Sequence, residues 1–298
     1  MNNVVCFGET LWDMLPTGKQ PGGAPFNVAV HLHQLGQPVQ LISRVGDDDL
    51  GTELLDFLAA RGLATGYVQR GHTHLTGVVK ANVGDRHEVV YKIAQPVAWD
   101  YIQYDEALAR VVAGADMLVF GSLAARQATT RETLYRLLPS ARCRVFDVNM
   151  RPPHYTREVV QYLLEHCDLV KMNHHELAEI MDWFGKSADD EAPAWLAARF
   201  GLQAVCVTQG ADGALLWTAG HLYRSPGVPV AVADTIGSGD AFLAALLTGW
   251  LAGRPPQECL RFACAAGALV ATHQGATPAI TPADVAALQQ AIPLATNA

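Results

Sequence analysis

Short apolar runs alternate with helical patterns along most of this chain, and that alternation restricts the fold more than any other feature. VVCFG (4–8), VQLISRVG (39–46), DMLVFGS (116–122), CRVFDVN (143–149), DLVKMN (168–173) and AVCVTQG (204–210) read as strands. Each is apolar almost throughout, the pattern of strands covered on both faces of a mainly parallel sheet. Helices are expected between them, such as 26–35, stopped by Gly36, and 50–61, stopped by Gly62. Such repetition predicts an α/β fold: a doubly wound, mainly parallel sheet sandwiched by helices. With 298 residues, half of them hydrophobic and 17% charged, the chain has material for one large domain and little sign of disorder.

Two stretches break the rhythm. TGVVKANV (76–83) and HEVVYKI (87–93), joined by Gly84-Asp85-Arg86, carry a hairpin signal. With residues 10–18 and 66–70 they are expected to form a small β-sheet outside the main one. ALLWT (214–218) and HLYRS (221–225) read as an antiparallel edge, and 238–292 as three helical segments separated by Pro-containing breaks.

Charge and motif content exclude several functions. A net charge of −8 with no Lys/Arg run opposes binding to nucleic acid through phosphate contacts. The apolar runs are too short to span a bilayer, and MNNVVCFGE lacks the basic and long apolar regions of a signal peptide. The six cysteines show no CxxC spacing, so reduced thiols in a cytoplasmic protein are expected. No GxxxxGK[ST] occurs, and no GxGxxG follows the first strand, which sets aside a P-loop enzyme and a nicotinamide dehydrogenase.

In open α/β sheets ligands gather at the carboxyl ends of strands, and three glycine turns follow strands here. DTIGSGD (234–240) leads straight into an apolar helical pattern. Gly237, Ser238 and Gly239 permit close backbone approach, while the free N–H groups and positive dipole end of the helix favour an anion. A carboxylate, Asp240, beside an anion hole points to deprotonation of a neutral hydroxyl, hence to phosphoryl transfer. PGGAPFNVA (21–29) places Gly22, Gly23 and Asn27 where a polyol could be held. Asp13 could accept from sugar hydroxyls. VTQGADG (207–213) offers Thr208, Gly210 and Gly213 to nucleotide phosphates, although a plain hairpin turn fits equally. DVNMRP (147–152) sets Asp147, Asn149 and Arg151 at a strand end with these alternate side chains on one side, and Arg151 suits either phosphate oxygens or a structural ion pair. The adjacent histidines of MNHHE (172–176) lack the spacing of a zinc site, whereas Asn173 and Glu176 suit a hydrated Mg²⁺ near phosphates. His72 and His74 read as surface residues.

Taken together these motifs resemble the ribokinase-like (PfkB) carbohydrate kinases. GGAPFN resembles the family's N-terminal signature, DTIGSGDAFLAAL its C-terminal signature and NHHE its NxxE motif, and the similarity runs from GETLWD to ATHQGA. GE-x-L-x-D, GGAP-x-N and D-x-N-x-R look most like fructokinases, and 2-keto-3-deoxygluconate kinases share much of the pattern. The resemblance implies one ribokinase-like domain over 1–298, with the small sheet (10–18, 66–70 and 76–93) as a lid. It implies ATP-dependent phosphorylation of the 6-hydroxyl of fructose, with 2-keto-3-deoxygluconate or another ribokinase-family acceptor as the alternative. Asp240 would be the base, with an anion hole at 237–240. Asp13, Gly22, Gly23, Ala24 and Asn27 would surround the sugar, and Asn149 and Arg151 would lie near the sugar and the transferring phosphate. Thr208 to Gly213 and Asn173 would line ATP, and Glu176 would reach Mg²⁺ through water. A monovalent cation, K⁺, would be held by Asp234 and the carbonyls of Ile236, Val270, His273 and Gly275. Pairing of lids in a homodimer would cover Val78, Val79, Val89 and Val90.

Overall fold

The apolar runs form the middle of a nine-stranded sheet, in a computed structural model that describes residues 3–15, 18–83 and 89–290. The chain begins with β1 (Val4–Phe7), β2 (Leu11–Leu15), β3 (Gly18–Gly22), α1 (Ala24–Gln34), β4 (Val39–Gly46) and α2 (Asp49–Ala60). It continues through β5 (Val68–Gly71), β6 (Gly77–Val83), β7 (Val89–Ile93), α3 (Glu106–Gly114), β8 (Met117–Gly121) and α4 (Ala128–Leu137). Then come β9 (Arg144–Asp147), α5 (Arg157–Glu165), β10 (Leu169–Asn173), α6 (His174–Asp182), α7 (Ala192–Phe200) and β11 (Ala204–Thr208). The hairpin β12 (Ala214–Thr218) and β13 (His221–Ser225) precedes α8 (Ser238–Leu251), α9 (Pro256–Ala271) and α10 (Pro282–Gln289).

The strand order is β13-β12-β11-β10-β9-β8-β1-β4-β5, parallel except for the expected antiparallel edge β12–β13. Alternate side chains enter separate cores, which is why the strands read as apolar without alternation. Val4 and Cys6 of β1 face α1, α8 and α9, whereas Val5 and Phe7 face the side covered by α3 to α7. Two charged strand residues are buried on the first of these faces, Asp147 and Lys171. The doubly wound α/β sandwich is therefore as expected, and the six cysteines are free. Among the described residues no helix is long and apolar enough to cross a membrane.

The small sheet has the order β3-β2-β6-β7, with β2 and β6 parallel. Two boundaries differ from the sequence expectation. GKQPG (18–22), most of which lay outside the expected strands, is a strand paired antiparallel to β2, and its Pro21 is tolerated because β3 is an edge. Residues 66–70, expected in the small sheet, enter β5 instead, which lies parallel beside β4 at the edge of the main sheet. Asp48 joins the two sheets' surroundings: it caps α2 by accepting from Gly51 N at 2.7 Å, and it accepts from Thr76 N and Oγ1 just before β6. Val79 is covered within the chain and Val78 is half-buried, so the apolar case for pairing two lids loses one member; the side chains of Val89 and Val90, and the turn 84–86, lie outside the described residues.

Candidate active site

From β1 the chain winds outward through β4 and β5, then returns to β8 and winds the other way through β9, β10 and β11. The carboxyl ends of β1, β8 and β9 therefore open a crevice at the point of reversal, the usual ligand position in such sheets. Two helix N-termini, those of α1 and α8, converge on this crevice because the two helices pack together.

The head of α8 is a backbone device. Gly237 caps the helix at φ 77°, and a Cβ there would stand 2.2 Å from Ala276 O, so only glycine fits. The first N–H groups of α8 have no carbonyl partner within the helix. Asp240 sits in this first turn and accepts from Asn27 Nδ2 of α1 at 2.8 Å. The other amide atom of Asn27, Oδ1, is buried without a partner, as is Ser238 Oγ. Burial raises the Asp240 carboxyl to about 7; Asp147 adds to the rise, and Lys171, Asn27 and Arg151 oppose it. A carboxylate poised there can take a proton near neutral pH.

Opposite this turn stands the small sheet. Asp13 of β2 lies over Gly22, where a Cβ would come 2.3 Å from its Oδ2, and burial raises its carboxyl to about 6 against the pull of Arg151. Gln20, paired with Asp13 across β2–β3, reaches the loop after α9: a Cβ on Gly275 would be 2.4 Å from its Oε1. The sheet face bearing Asp13 is thus brought against the loop that supports Gly237. Glu9, 2% exposed, accepts from Ala24 N at 3.2 Å through Oε1, and its Oε2 has no partner. It pins the Gly23–Ala24 turn from below, and Gly23 at φ 110° passes within contact of Glu9 O.

Two sequence expectations need correction or refinement. Asp147, Asn149 and Arg151 do not share one side: β9 ends at Asp147, and Asn149 at φ 38° turns the chain, leaving Asp147 buried and Arg151 exposed. Arg151 still acts on the crevice, since its charge lowers the carboxyls of Glu9, Asp13 and Asp240. NHHE is first a helix cap. Asn173 Oδ1 accepts from His175 N and Glu176 N, while Glu176 accepts from Asn173 N and Met150 N, each at 2.8 Å. With both oxygens held by the backbone and 6% exposure, Glu176 can reach a metal only through water.

Thr208 lies beside Asn173 in register at the ends of β11 and β10. Gly210 and Gly213 close the turn beyond, and a Cβ on Gly213 would strike Ser225 O at 2.1 Å. The segments expected around a cation also meet. Asp234 accepts from Ile236 N at 3.0 Å and Gly275 N at 3.1 Å, and Ala233 N donates to Ala271 O. Val270 O accepts from His273 N at 2.9 Å. The donors are hard oxygens, the kind a monovalent or alkaline-earth ion takes. Lys171, Glu9 and Gln20 were given no role in the sequence reading; Lys171 left a signal as a charge inside an apolar strand, and Glu9 as part of GE-x-L-x-D.

The pfkB family carbohydrate kinase model matches residues 1–283. A fructokinase of Klebsiella pneumoniae is 31% identical, over 92% of this chain and 94% of that one. A crystal structure of fructokinase with bound ATP from Xylella fastidiosa superposes with a TM-score of 0.86 at 26% identity, covering 97% of this chain and 98% of its own. A 2-dehydro-3-deoxygluconokinase from Thermotoga maritima shares the fold, with a TM-score of 0.84 at 20% identity over 97% of this chain and 100% of that one. With Asp240 at the head of α8, Asn27 hydrogen-bonded to it and glycines lining the crevice, the chain belongs to the pfkB family of carbohydrate kinases.

Proposed function

We propose that this kinase transfers the γ-phosphoryl group of ATP to the 6-hydroxyl of D-fructose. The observation that carries the reading is the pairing of Asp240 with the glycine turn at the head of α8. Asp240 accepts the hydroxyl proton as the oxygen attacks in line, and the N–H groups of 237–240 with Arg151 take up charge on the phosphoryl oxygens. Asp13, Asn27 and the Gly22–Ala24 turn orient the hydroxyls. Asn149 stands at the strand end between sugar and phosphate, and Asn173, Thr208, Gly210 and Gly213 line the nucleotide. Glu176 would hold Mg²⁺ through water, and that ion would supply neutralisation of phosphate charge; Asp234 and the carbonyls of Ile236, Val270, His273 and Gly275 would hold K⁺, which would steady the anion-hole loop.

The small sheet favours a neutral acceptor. Cross-strand partners share a face, so Asp13, Gln20, Val79 and Ile93 lie together, whereas Met14, Lys19, Lys80 and Lys92 lie on the other face. Lys80 and Lys92 are exposed, and Lys19 pairs with Glu53 of α2. No cation among the described residues of this sheet faces the way Asp13 does, whereas a sugar acid needs a cation for its carboxylate. The similarity to fructokinases of Klebsiella pneumoniae and Xylella fastidiosa supports fructose as well. Incubation with ATP, Mg²⁺ and D-fructose, followed by ³¹P NMR, is expected to yield the 6-phosphate, more slowly when K⁺ is replaced by a large organic cation. Absence of sugar phosphate would reject the acceptor.

A further inference from the structure

An ammonium group is rarely buried without a carboxylate partner, and Lys171 is 7% exposed within the apolar strand β10. Its partner is the residue opposite in register, Asp147 of β9. Nζ donates to Oδ1 at 3.0 Å and to Oδ2 at 3.2 Å. Both side chains share the sheet face of Val145 and Leu169, on which α8 packs. A Cβ on Gly239 would come 3.2 Å from Lys171 Nζ, so the ammonium lies directly beneath the first turn of α8. Asp240 is the next residue of that turn.

We propose that Lys171 and Asp147 are positioning residues for the reaction, a buried ion pair under the first turn of α8 that fixes the charge felt by the Asp240 carboxylate and so sets the pH range in which it accepts a proton. This rests on Asp240 being the base. The two partners act in opposite directions: the ammonium favours ionised Asp240, and the Asp147 carboxylate disfavours it. The other groups facing this cluster are Arg151, from the loop after β9, whose charge favours the ionised form, and Asn27 of α1, which donates to it. Glu176 of α6 acts on Lys171 from the far side, and Cys206 of β11 is held as a neutral thiol by burial.

The test is the pH profile of kcat/KM for the sugar in wild type, Lys171→Met, Asp147→Asn and the double variant, with melting temperature and ATP binding as checks on folding. In wild type the rate falls as the pH drops through the Asp240 titration, because the protonated base is inactive. Lys171→Met is expected to move that acid limb upward by about one pH unit or more, so that kcat/KM below the limb drops about tenfold and recovers at high pH. Asp147→Asn moves the limb downward, and the double variant returns it towards wild type. If Lys171→Met fails to fold, the downward movement in Asp147→Asn decides alone. An acid limb unmoved in Asp147→Asn, with melting temperature alone altered, overturns the inference and leaves a structural ion pair. Asp240→Asn separates the two readings: if it stays active the base assignment fails, and if it is inactive while the limbs stay fixed only this inference fails.

Discussion

Asp240→Asn lowers kcat by at least about 10²-fold while ATP still binds, the lower end of what a positioned general base contributes. The substitution keeps the shape of the side chain and an oxygen that accepts from Asn27 Nδ2, so the first turn of α8 keeps its geometry. What disappears is the ability to take the hydroxyl proton. Folding should not suffer, because the wild-type carboxyl is raised to about 7 by its burial and an amide carries no such desolvation cost. Turnover within a few-fold of wild type at saturating sugar would remove Asp240 from the mechanism.

Gly237→Ala is the second large effect. The residue sits at φ 77°, and its Cβ would lie 2.2 Å from Ala276 O, a contact no small torsion relieves. The Ala276–Pro278 segment cannot simply retreat, since His31 Nε2 meets Ala276 O at 3.0 Å, Arg61 donates to Thr277 O and Gln34 to Pro278 O. The anion-hole turn must therefore move, and a displacement of about 1 Å at a reacting centre costs about 10²-fold. We expect kcat/KM to fall by at least that much. Gly253→Ala supplies the comparison, with φ 66° and nothing within 4 Å of the added Cβ. It should lose about 1 kcal/mol of stability from backbone strain and keep its kinetics. Equal kinetics in the two variants would show that the turn at 237 tolerates displacement.

The main sheet was legible because burial on both faces leaves a signature in composition: VVCF and MLVFG contain no polar residue to alternate. The small sheet was harder. GKQPG carries glycine, proline and lysine, none a strand former, and becomes a strand only because β2 offers it a partner. VQRG, within a segment expected in the small sheet, joins the main one because the chain returns from α2 to lie beside β4. At the site, Gly237 and Asp240 could be read directly, since a glycine before a helix has few uses. At NHHE the helix cap went unread, because a capping box and a polar ligand set use the same residue types. Lys171 and Asp147 meet only through strand register, which lies 24 residues apart in sequence and is invisible there.

The central claim, a kinase for a neutral sugar, is tested most directly by initial rates at limiting concentrations of D-fructose, 2-keto-3-deoxygluconate and D-ribose with ATP in excess. The arrangement of Asp13 on one face and Lys19, Lys80 and Lys92 on the other predicts that kcat/KM for D-fructose exceeds that for the sugar acid by at least about 10-fold, ~1.4 kcal/mol of transition-state binding. By family resemblance the same margin is expected over ribose. A preference for 2-keto-3-deoxygluconate would contradict the account and place a cation such as Arg151 against the acceptor's carboxylate.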